Sequence, residues 1–285
     1  MTTCPVTTII PTYNRSSFLG RAIDSVLVQT CKCDELLIID DGSTDGTKKL
    51  VEKYRTDNPQ IQYLWQPNNG PASARNLGIT RARNPFIAFL DSDDHWHRKK
   101  IEKQYGAMVK SPEYLISHTY EKWLRNGQHL NQKKIHIPRH GDIFDHCLSL
   151  CAVGMSTVMA QTELFRKEGL FAAELRCCED YDYWLRVSRN YPFLLVGEPL
   201  TIKEGGREDQ VSWQYRVGMD KLRITSLVNL LENFSLSKKQ RIQACQEAIK
   251  KATIYGNGCI RYGKKDEGAQ YLCLAADIHK QLQEK

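Results

Sequence analysis

In the first 110 residues, short apolar runs alternate with stretches whose apolar positions recur every three or four residues. Val6-Thr7-Thr8-Ile9-Ile10 is such a run, and Pro11 ends it, which predicts a buried strand. Leu19, Ile23, Val26 and Leu27 follow at helical spacing and predict a helix capped by Ser16 or Ser17, running to about residue 29. Glu35-Leu36-Leu37-Ile38-Ile39 predicts a second strand, and Thr44 opens a helix to about residue 54. Residues 61–65 predict a third strand, Asn68-Asn69-Gly70-Pro71 a turn, and residues 72–82 a helix. A fourth apolar run, Phe86-Ile87-Ala88-Phe89-Leu90, precedes a helix over about residues 98–109. This alternation predicts an α/β fold with a mostly parallel, doubly wound sheet flanked by helices.

Beyond residue 110 the periodicity loosens. Residues 114–120 and 156–160 read as strands, and the polar, basic stretch 128–141 as a loop or hairpin. Residues 180–190 read as an amphipathic helix entered through Cys177-Cys178-Glu179-Asp180. Residues 193–196 and 200–203 read as short strands, and 204–212 has the glycines and charges of a mobile loop. From Trp213 onward the pattern is helical, roughly 214–233, 238–262 and 266–280, with Asn257-Gly258 expected to split or bend the second helix. Residues 252–271 faintly resemble one tetratricopeptide-like pair. A solenoid needs several such units, so a helical cap on the sheet domain is the expectation.

Composition adds limits. The chain has 285 residues, enough for one large domain or a domain with an appendage. No apolar run has transmembrane length, and the N-terminus shows no basic-then-apolar leader, so a cytoplasmic protein is expected. Ten cysteines without paired C-x-x-C spacing predict reduced thiols rather than a disulfide framework or zinc site. The net charge of +7 suits an anionic partner, yet the basic residues are spread out and form no arm, which argues against nucleic acid. The modest cluster Lys238, Lys239, Arg241, Lys250, Lys251, Arg261, Lys264 and Lys265 is compatible with peripheral contact to an anionic membrane, with a homodimer interface or with a solvated face.

The candidate chemistry lies where the fourth strand stops. Asp91-Ser92-Asp93-Asp94 places three carboxylates in four positions, at the kind of strand end where open α/β sheets bind ligands. Such acids repel one another unless a cation lies among them, and hard Mg²⁺ or Mn²⁺ ions take carboxylates together with phosphate oxygens. The plain alternative is a solvated acidic turn. Asp40-Asp41 ends the second strand and Pro11 the first, so three strand ends converge on one crevice. No G-x-G-x-x-G or Walker lysine loop is present. His95 and His97 flank Trp96 just beyond and are expected to be exposed or structural rather than ligands.

Four segments in order resemble glycosyltransferase family 2: Ile9-Ile10-Pro11-Thr12-Tyr13-Asn14-Arg15, Ile39-Asp40-Asp41-Gly42-Ser43-Thr44-Asp45, Gly70-Pro71-Ala72-Ser73-Ala74-Arg75-Asn76-Leu77-Gly78 and Phe89-Leu90-Asp91-Ser92-Asp93-Asp94. Glu179-Asp180 before an aromatic-rich helix is similar to the family's later acidic element, and the resemblance covers about residues 4–215. It implies a GT-A, Rossmann-like fold over residues 1–213, with a nucleotide-binding half (about 1–110) and an acceptor half (about 111–213), followed by a helical extension over 214–285. It also implies an inverting transferase that uses a nucleotide-diphosphate sugar, with uridine favoured, and Mn²⁺ or Mg²⁺. A saccharide or lipid-linked acceptor in surface polysaccharide or lipopolysaccharide synthesis is the expected setting.

By the same resemblance, Pro11 and Tyr13 shape the base pocket, Asp41 receives the imide N–H of the base, and Asp40 holds the loop. Arg15 and Ser92 join the nucleotide-binding set. Arg75 pairs with phosphate or orients the site. Asp91 faces the ribose or metal-bound water, Asp93 ligates the metal, and Asp94 touches the sugar or caps the next helix. Asp180 is the expected base that takes the acceptor proton, with Glu179 as its substitute. Arg207 with Asp209-Gln210 is expected as a lid or an ordinary surface loop. Cys178 departs from the family's usual small residue before Glu-Asp. Competing readings are a nucleotidyltransferase, which the Pro-Thr-Tyr-Asn-Arg segment after the first strand disfavours, a glycoside hydrolase, which would need two flanking carboxylates and no nucleotide pocket, and a non-catalytic nucleotide- or carbohydrate-binding module derived from a transferase.

Overall fold

The structure is a computed structural model and describes residues 2–215 and 217–283. Its first half alternates as the apolar runs predict: β1 (Thr2–Thr12), α1 (Ser16–Leu27), β2 (Cys31–Asp40), α2 (Thr47–Asp57), β3 (Ile61–Trp65), α3 (Pro71–Arg81), β4 (Phe86–Phe89), β5 (His95–Trp96) and α4 (Lys100–Lys110). Then follow β6 (Ile116–Arg125), β7 (Gln128–Leu130), α5 (Phe144–Ser149), β8 (Met159–Gln161), α6 (Thr162–Glu168), α7 (Glu179–Ser188) and β9 (Leu194–Gly205). The chain closes with α8 (Val211–Gln214), α9 (Met219–Asn233), α10 (Lys238–Arg261) and α11 (Lys265–Gln283).

One mixed sheet runs in the order β3-β2-β1-β4-β8-β6-β9-β5, with β7 paired to β6. The β3-β2-β1-β4 half is parallel, so its C-terminal ends open on one side. β2, β1 and β4 are largely buried on both faces, which is why they read as apolar runs, whereas the edge strand β3 is only half-buried. β8 runs antiparallel to both β4 and β6, and β5 pairs antiparallel with β9. Because β5 follows β4 in sequence yet pairs with β9 and forms the far edge, the acidic turn between them spans the curl of the sheet.

Several expectations are corrected. α1 is preceded by Arg15 and carries no side-chain cap, because Asp45, from the neighbouring loop, accepts the backbone N–H of Ser16 instead. The two short strands expected over 193–203 are one strand, β9, which pairs with β6 through register shifts around Tyr120 and Pro199. α10 runs through Asn257-Gly258 unbroken, because Gly256 and Gly268 give the backbones of α10 and α11 a close approach: a Cβ built on Gly256 would lie 2.9 Å from the Gly268 carbonyl oxygen. Arg216, within the expected helix 214–233, lies outside the described residues, as does the side chain of Ser212. Reduced cysteines were expected throughout. Instead Cys4 and Cys31, brought to a Cα separation of 6.0 Å where β1 and β2 lie side by side, form a disulfide.

α7 differs most from its pattern. Rather than presenting a wet face, it is buried along nearly its whole length. Arg186 pairs with Asp182 at 3.0 Å inside the protein and donates to the carbonyls of Glu168 and Leu170. Tyr183 packs on Phe171 with ring centroids 4.3 Å apart. The outer side of α7 is covered by the C-terminal helices: Leu227, Leu230, Ala244, Ala248 and Ile278 share one core with Tyr181 and Trp184. Lys251 and Gln240 tie α10 to the carbonyls of Ser149 and Arg189. No helix among the described residues is long and apolar enough to cross a membrane.

Candidate active site

The parallel strand ends and the start of α7 face one cavity of about 760 Å³. Pro11, Tyr13, Arg15, Asp41, Arg75, Asp91, Ser92, Asp93, Glu179 and Asp180 all line it, so residues spread over 170 positions of sequence meet in one place. The residues differ in how free they are.

Asp41 is buried, and its carboxylate holds the following loop. It accepts the backbone N–H groups of Asn69 and Gly70 at 2.9 and 2.8 Å and the side-chain amide of Gln66. Asp40 accepts the Ser43 N–H and the Tyr63 hydroxyl. Both acids of the pair therefore hold loops, where only Asp40 was expected to, and Asp41 also lines the cavity. Gly42, with φ +85°, sits so close to this loop that a Cβ would lie 2.8 Å from the Asn68 nitrogen. Tyr13 is 46% exposed, with its ring available to a flat ligand. Asn14 stitches the loops above it, donating its N–H to Ser43 and accepting that of Thr44.

Arg75 is buried and clamped between two carboxylates. It reaches Asp91 at 2.9 Å and Glu179 at 2.5 Å. Burial alone would lower its pKa, but these two acids outweigh it and hold the guanidinium charged. With both terminal nitrogens engaged, Arg75 has an orienting geometry rather than a phosphate-binding one. Glu179, 5% exposed, is the buried half of this pair, and its carboxylate is engaged by Arg75. Burial raises its carboxyl pKa, with Arg75 pulling the other way. Asp180, one residue on, is only partly buried and accepts the Tyr181 N–H at 2.7 Å.

Asp93 receives the guanidinium of Arg207 and the side-chain amide of Gln210, so the 204–212 segment folds back onto the acidic turn. Arg15 secures the same segment through Asp209, at 2.7 Å. Asp94 lines the cavity and does not cap α4, which Lys99 precedes without a side-chain cap. It is buried, accepts the Ser156 hydroxyl at 2.6 Å and the Glu204 N–H at 3.1 Å, and so ties the turn to β9. Its pKa is raised well above the usual range by burial and then by the neighbouring Asp93. His95 pairs in β5 and is half-buried, while His97 lies at the exposed end of that turn.

No group of three or more His, Cys, Asp or Glu side chains in metal-binding geometry occurs among the described residues. Asp91 and Asp93 line the cavity side by side and are the carboxylates that would hold a divalent ion there, oxygen ligands of the kind Mg²⁺ takes. The guanidinium seated on Asp93 shows that this carboxylate draws a cation.

Other lining residues left no readable mark in the sequence. Glu121 and Trp123 share a face of β6, and Lys203 lies opposite Trp123 on β9. The Trp123 N–H donates to Glu121, and its ring meets His136 at a centroid distance of 5.2 Å. Lys203 is held charged by Glu121, Asp94 and Asp91 against the opposing effect of burial. Only the β6–β9 register brings these side chains together.

Residues 7–163 match the family model described as glycosyl transferase family 2. The chain belongs to glycosyltransferase family 2. An uncharacterized glycosyltransferase of Rickettsia felis is 41% identical over 185 residues, covering 64% of this chain and 30% of that protein. The match thus spans less than a third of the length of that relative. The putative teichuronic acid biosynthesis glycosyltransferase TuaG of Bacillus subtilis is 33% identical over 181 residues, covering 63% of this chain and 70% of that protein. Among solved structures, residues 1–349 of S. aureus TarS in complex with UDP-GlcNAc superpose with a TM-score of 0.72 at 20% identity, covering 98% of this chain and 80% of that one. The mannosyltransferase PcManGT of Pyrobaculum calidifontis, in complex with GDP-Man and Mn²⁺, gives 0.65 at 14% identity, covering 98% and 83%. The family-2 chain therefore has a GT-A type fold and a C-terminal set of helices.

Proposed function

We propose that this glycosyltransferase moves a sugar from a uridine-diphosphate donor to an acceptor hydroxyl by single displacement, with a divalent ion held by Asp91 and Asp93. The observation that carries the reading is the meeting, in one cavity, of the Asp91/Asp93 turn and the accessible carboxylate of Asp180 at the start of a buried helix. Tyr13 and the Asp41-held loop form a slot for the base. An ion held by Asp91 and Asp93 would supply charge neutralisation for the leaving diphosphate. Asp180 takes the proton of the attacking hydroxyl. Arg75 fixes the spacing of its two acidic partners, Asp91 from the donor side and Glu179 beside the base. One free carboxylate base without a second carboxylate nucleophile supports inversion at the anomeric carbon.

In the same reading, residues 1–213 carry transfer and the C-terminal helices brace α7. A place in polysaccharide synthesis draws support from the likeness to TuaG, a protein named for teichuronic acid biosynthesis. Arg207 and Gln210 would have to leave Asp93 for it to hold a metal. A thermal-shift titration with uridine, guanosine, thymidine and cytidine diphosphates, each with Mn²⁺ or chelator, tests this. A metal-dependent rise with the uridine nucleotide alone is expected, since a ligand of the native state stabilises it by mass action. A response to another base, or one unaffected by chelator, would overturn the donor or the metal assignment.

A further inference from the structure

We propose that Cys177 and Cys178 form a dithiol that a hydroperoxide oxidises to a vicinal disulfide, reversibly displacing the entrance of α7. The two sulfurs lie 3.8 Å apart and both residues line the cavity. Cys178 holds a left-handed backbone, φ 64°. The other described non-glycine residues with positive φ are asparagines, which tolerate that region far better. Two residues after this strained turn stands Asp180, and between them Glu179 is locked to Arg75. The Cys178 carbonyl accepts the Asp182 N–H and so closes the first turn of α7. A chemically sensitive pair of thiols is thus built into the hinge that aims the acids.

The chemistry balances with the hydroperoxide as the single co-reactant. The Cys177 thiolate, favoured by the hydrogen bond from Cys178, attacks the distal peroxide oxygen. The O–O bond breaks, and the departing alkoxide or hydroxide takes up the thiol proton. Cys178 sulfur then attacks the sulfenic sulfur, forming S–S and releasing water. Two thiols are oxidised and one peroxide is reduced.

Adjacent Cα atoms are only about 3.8 Å apart, below the range of ordinary disulfides, so closing this ring must rotate the joining peptide. A strained disulfide of this kind is readily reduced. Rotation at Cys178 pulls its carbonyl from Asp182 and carries Glu179 and Asp180 with it. The predicted loss of transfer rests on the role proposed above for Asp180, whereas the formation of the disulfide does not.

The test treats the full chain with hydrogen peroxide, alkylates it and maps its peptides. Residues 177–186, released between Arg176 and Arg186, should lose the mass of two hydrogens and refuse alkylation. Release of UDP from UDP-GlcNAc should fall at least tenfold and return with dithiothreitol, while the UDP–Mn²⁺ thermal shift persists. Cys178→Gly, which suits the left-handed turn, should keep UDP release and resist peroxide. Cys151→Ser, which removes the other cavity thiol, should remain sensitive. The proposal falls if residues 177–186 keep both thiols while exposed Cys273 is oxidised. It also falls if Cys178→Gly is inactivated at the wild-type rate. Untreated protein that neither shifts with UDP nor releases it would refute the donor assignment, and the peptide masses would still decide the dithiol.

Discussion

Replacing Arg75 with methionine should expose how the site is held together. The guanidinium is buried between Glu179, itself 5% exposed, and Asp91. Arg75→Met preserves much of the volume and removes the charge. Breaking a buried ion pair from one side costs about 3–5 kcal/mol, because the other charge is left uncompensated. Glu179 carries nearly all of that cost, since the Asp91 side chain is 30% exposed and water screens it. For a chain somewhat larger than 150–250 residues, about 2–4 °C per kcal/mol gives a fall in Tm of roughly 6–20 °C. The loss must depend on pH. Burial already raises the Glu179 carboxyl above its ordinary 4.5, and without Arg75 it rises further. A carboxyl whose folded pKa is raised binds more protons in the native state. Its stability contribution is therefore full below the unfolded value and is lost as pH climbs through the folded one. Scanning calorimetry at pH 5 and pH 8 should show the larger deficit at pH 8. Adding Glu179→Gln to the variant should recover more than half of it. A deficit that is equal at both pH values, or larger at pH 5, would refute the assignment of the cost to Glu179.

Asp93→Ala should abolish metal-dependent UDP binding in the thermal-shift titration, while Asp180→Asn should bind as the wild type and lose transfer by at least 10²-fold, the lower end for general-base catalysis. Substantial transfer by Asp180→Asn would remove it as the base. Arg207→Ala frees Asp93 of its resident cation; with both side chains about a fifth exposed, a pair worth about 1 kcal/mol predicts roughly fivefold tighter Mn²⁺ binding without nucleotide, read by paramagnetic resonance titration. Weaker Mn²⁺ binding would show that Arg207 supports the metal rather than competing with it. Gly78→Ala places a Cβ 2.6 Å from the Ile9 side chain, so urea unfolding should show a loss of about 1–3 kcal/mol from overpacking against the central strand, reduced by up to about 1 kcal/mol of helix propensity.

The parallel half of the sheet was legible because burial on both faces writes itself as an apolar run. β3 emerges with the predicted bounds, Ile61–Trp65, and the sheet and C-terminal helices match the expected fold class. The second half obscured itself locally. β9 passes Gly197-Glu198-Pro199, a turn signature, yet the strand continues because shifts in the β6 pairing absorb the proline. α5 and α6 span only six and seven residues, less than two helical turns, too short for a period to establish itself. α7 misled for a different reason. Its Asp182 and Arg186 look like a wet face in sequence, but they neutralise each other inside the protein, under helices that begin only at Met219.

The acids of the site could be found by eye, but which of them are free could not, because freedom is decided by partners remote in sequence. Arg75 and Glu179 are 104 residues apart, and Asp93 and Arg207 are 114 apart. These contacts sort chemically similar carboxylates into different work. Asp41 spends its oxygens on loop N–H groups, Glu179 on a buried guanidinium, and Asp94 on Ser156 and Glu204. Asp93 is held by groups of a surface loop that a divalent ion can displace. Asp180 accepts the Tyr181 N–H, meets the Cys151 thiol and stays partly exposed beside the cavity. A base must keep accessible oxygen lone pairs, and a metal ligand must exchange its resident cation at small cost. Asp180 and Asp93 have those properties, while their sequence neighbours Glu179 and Asp94, equally acidic on paper, do not.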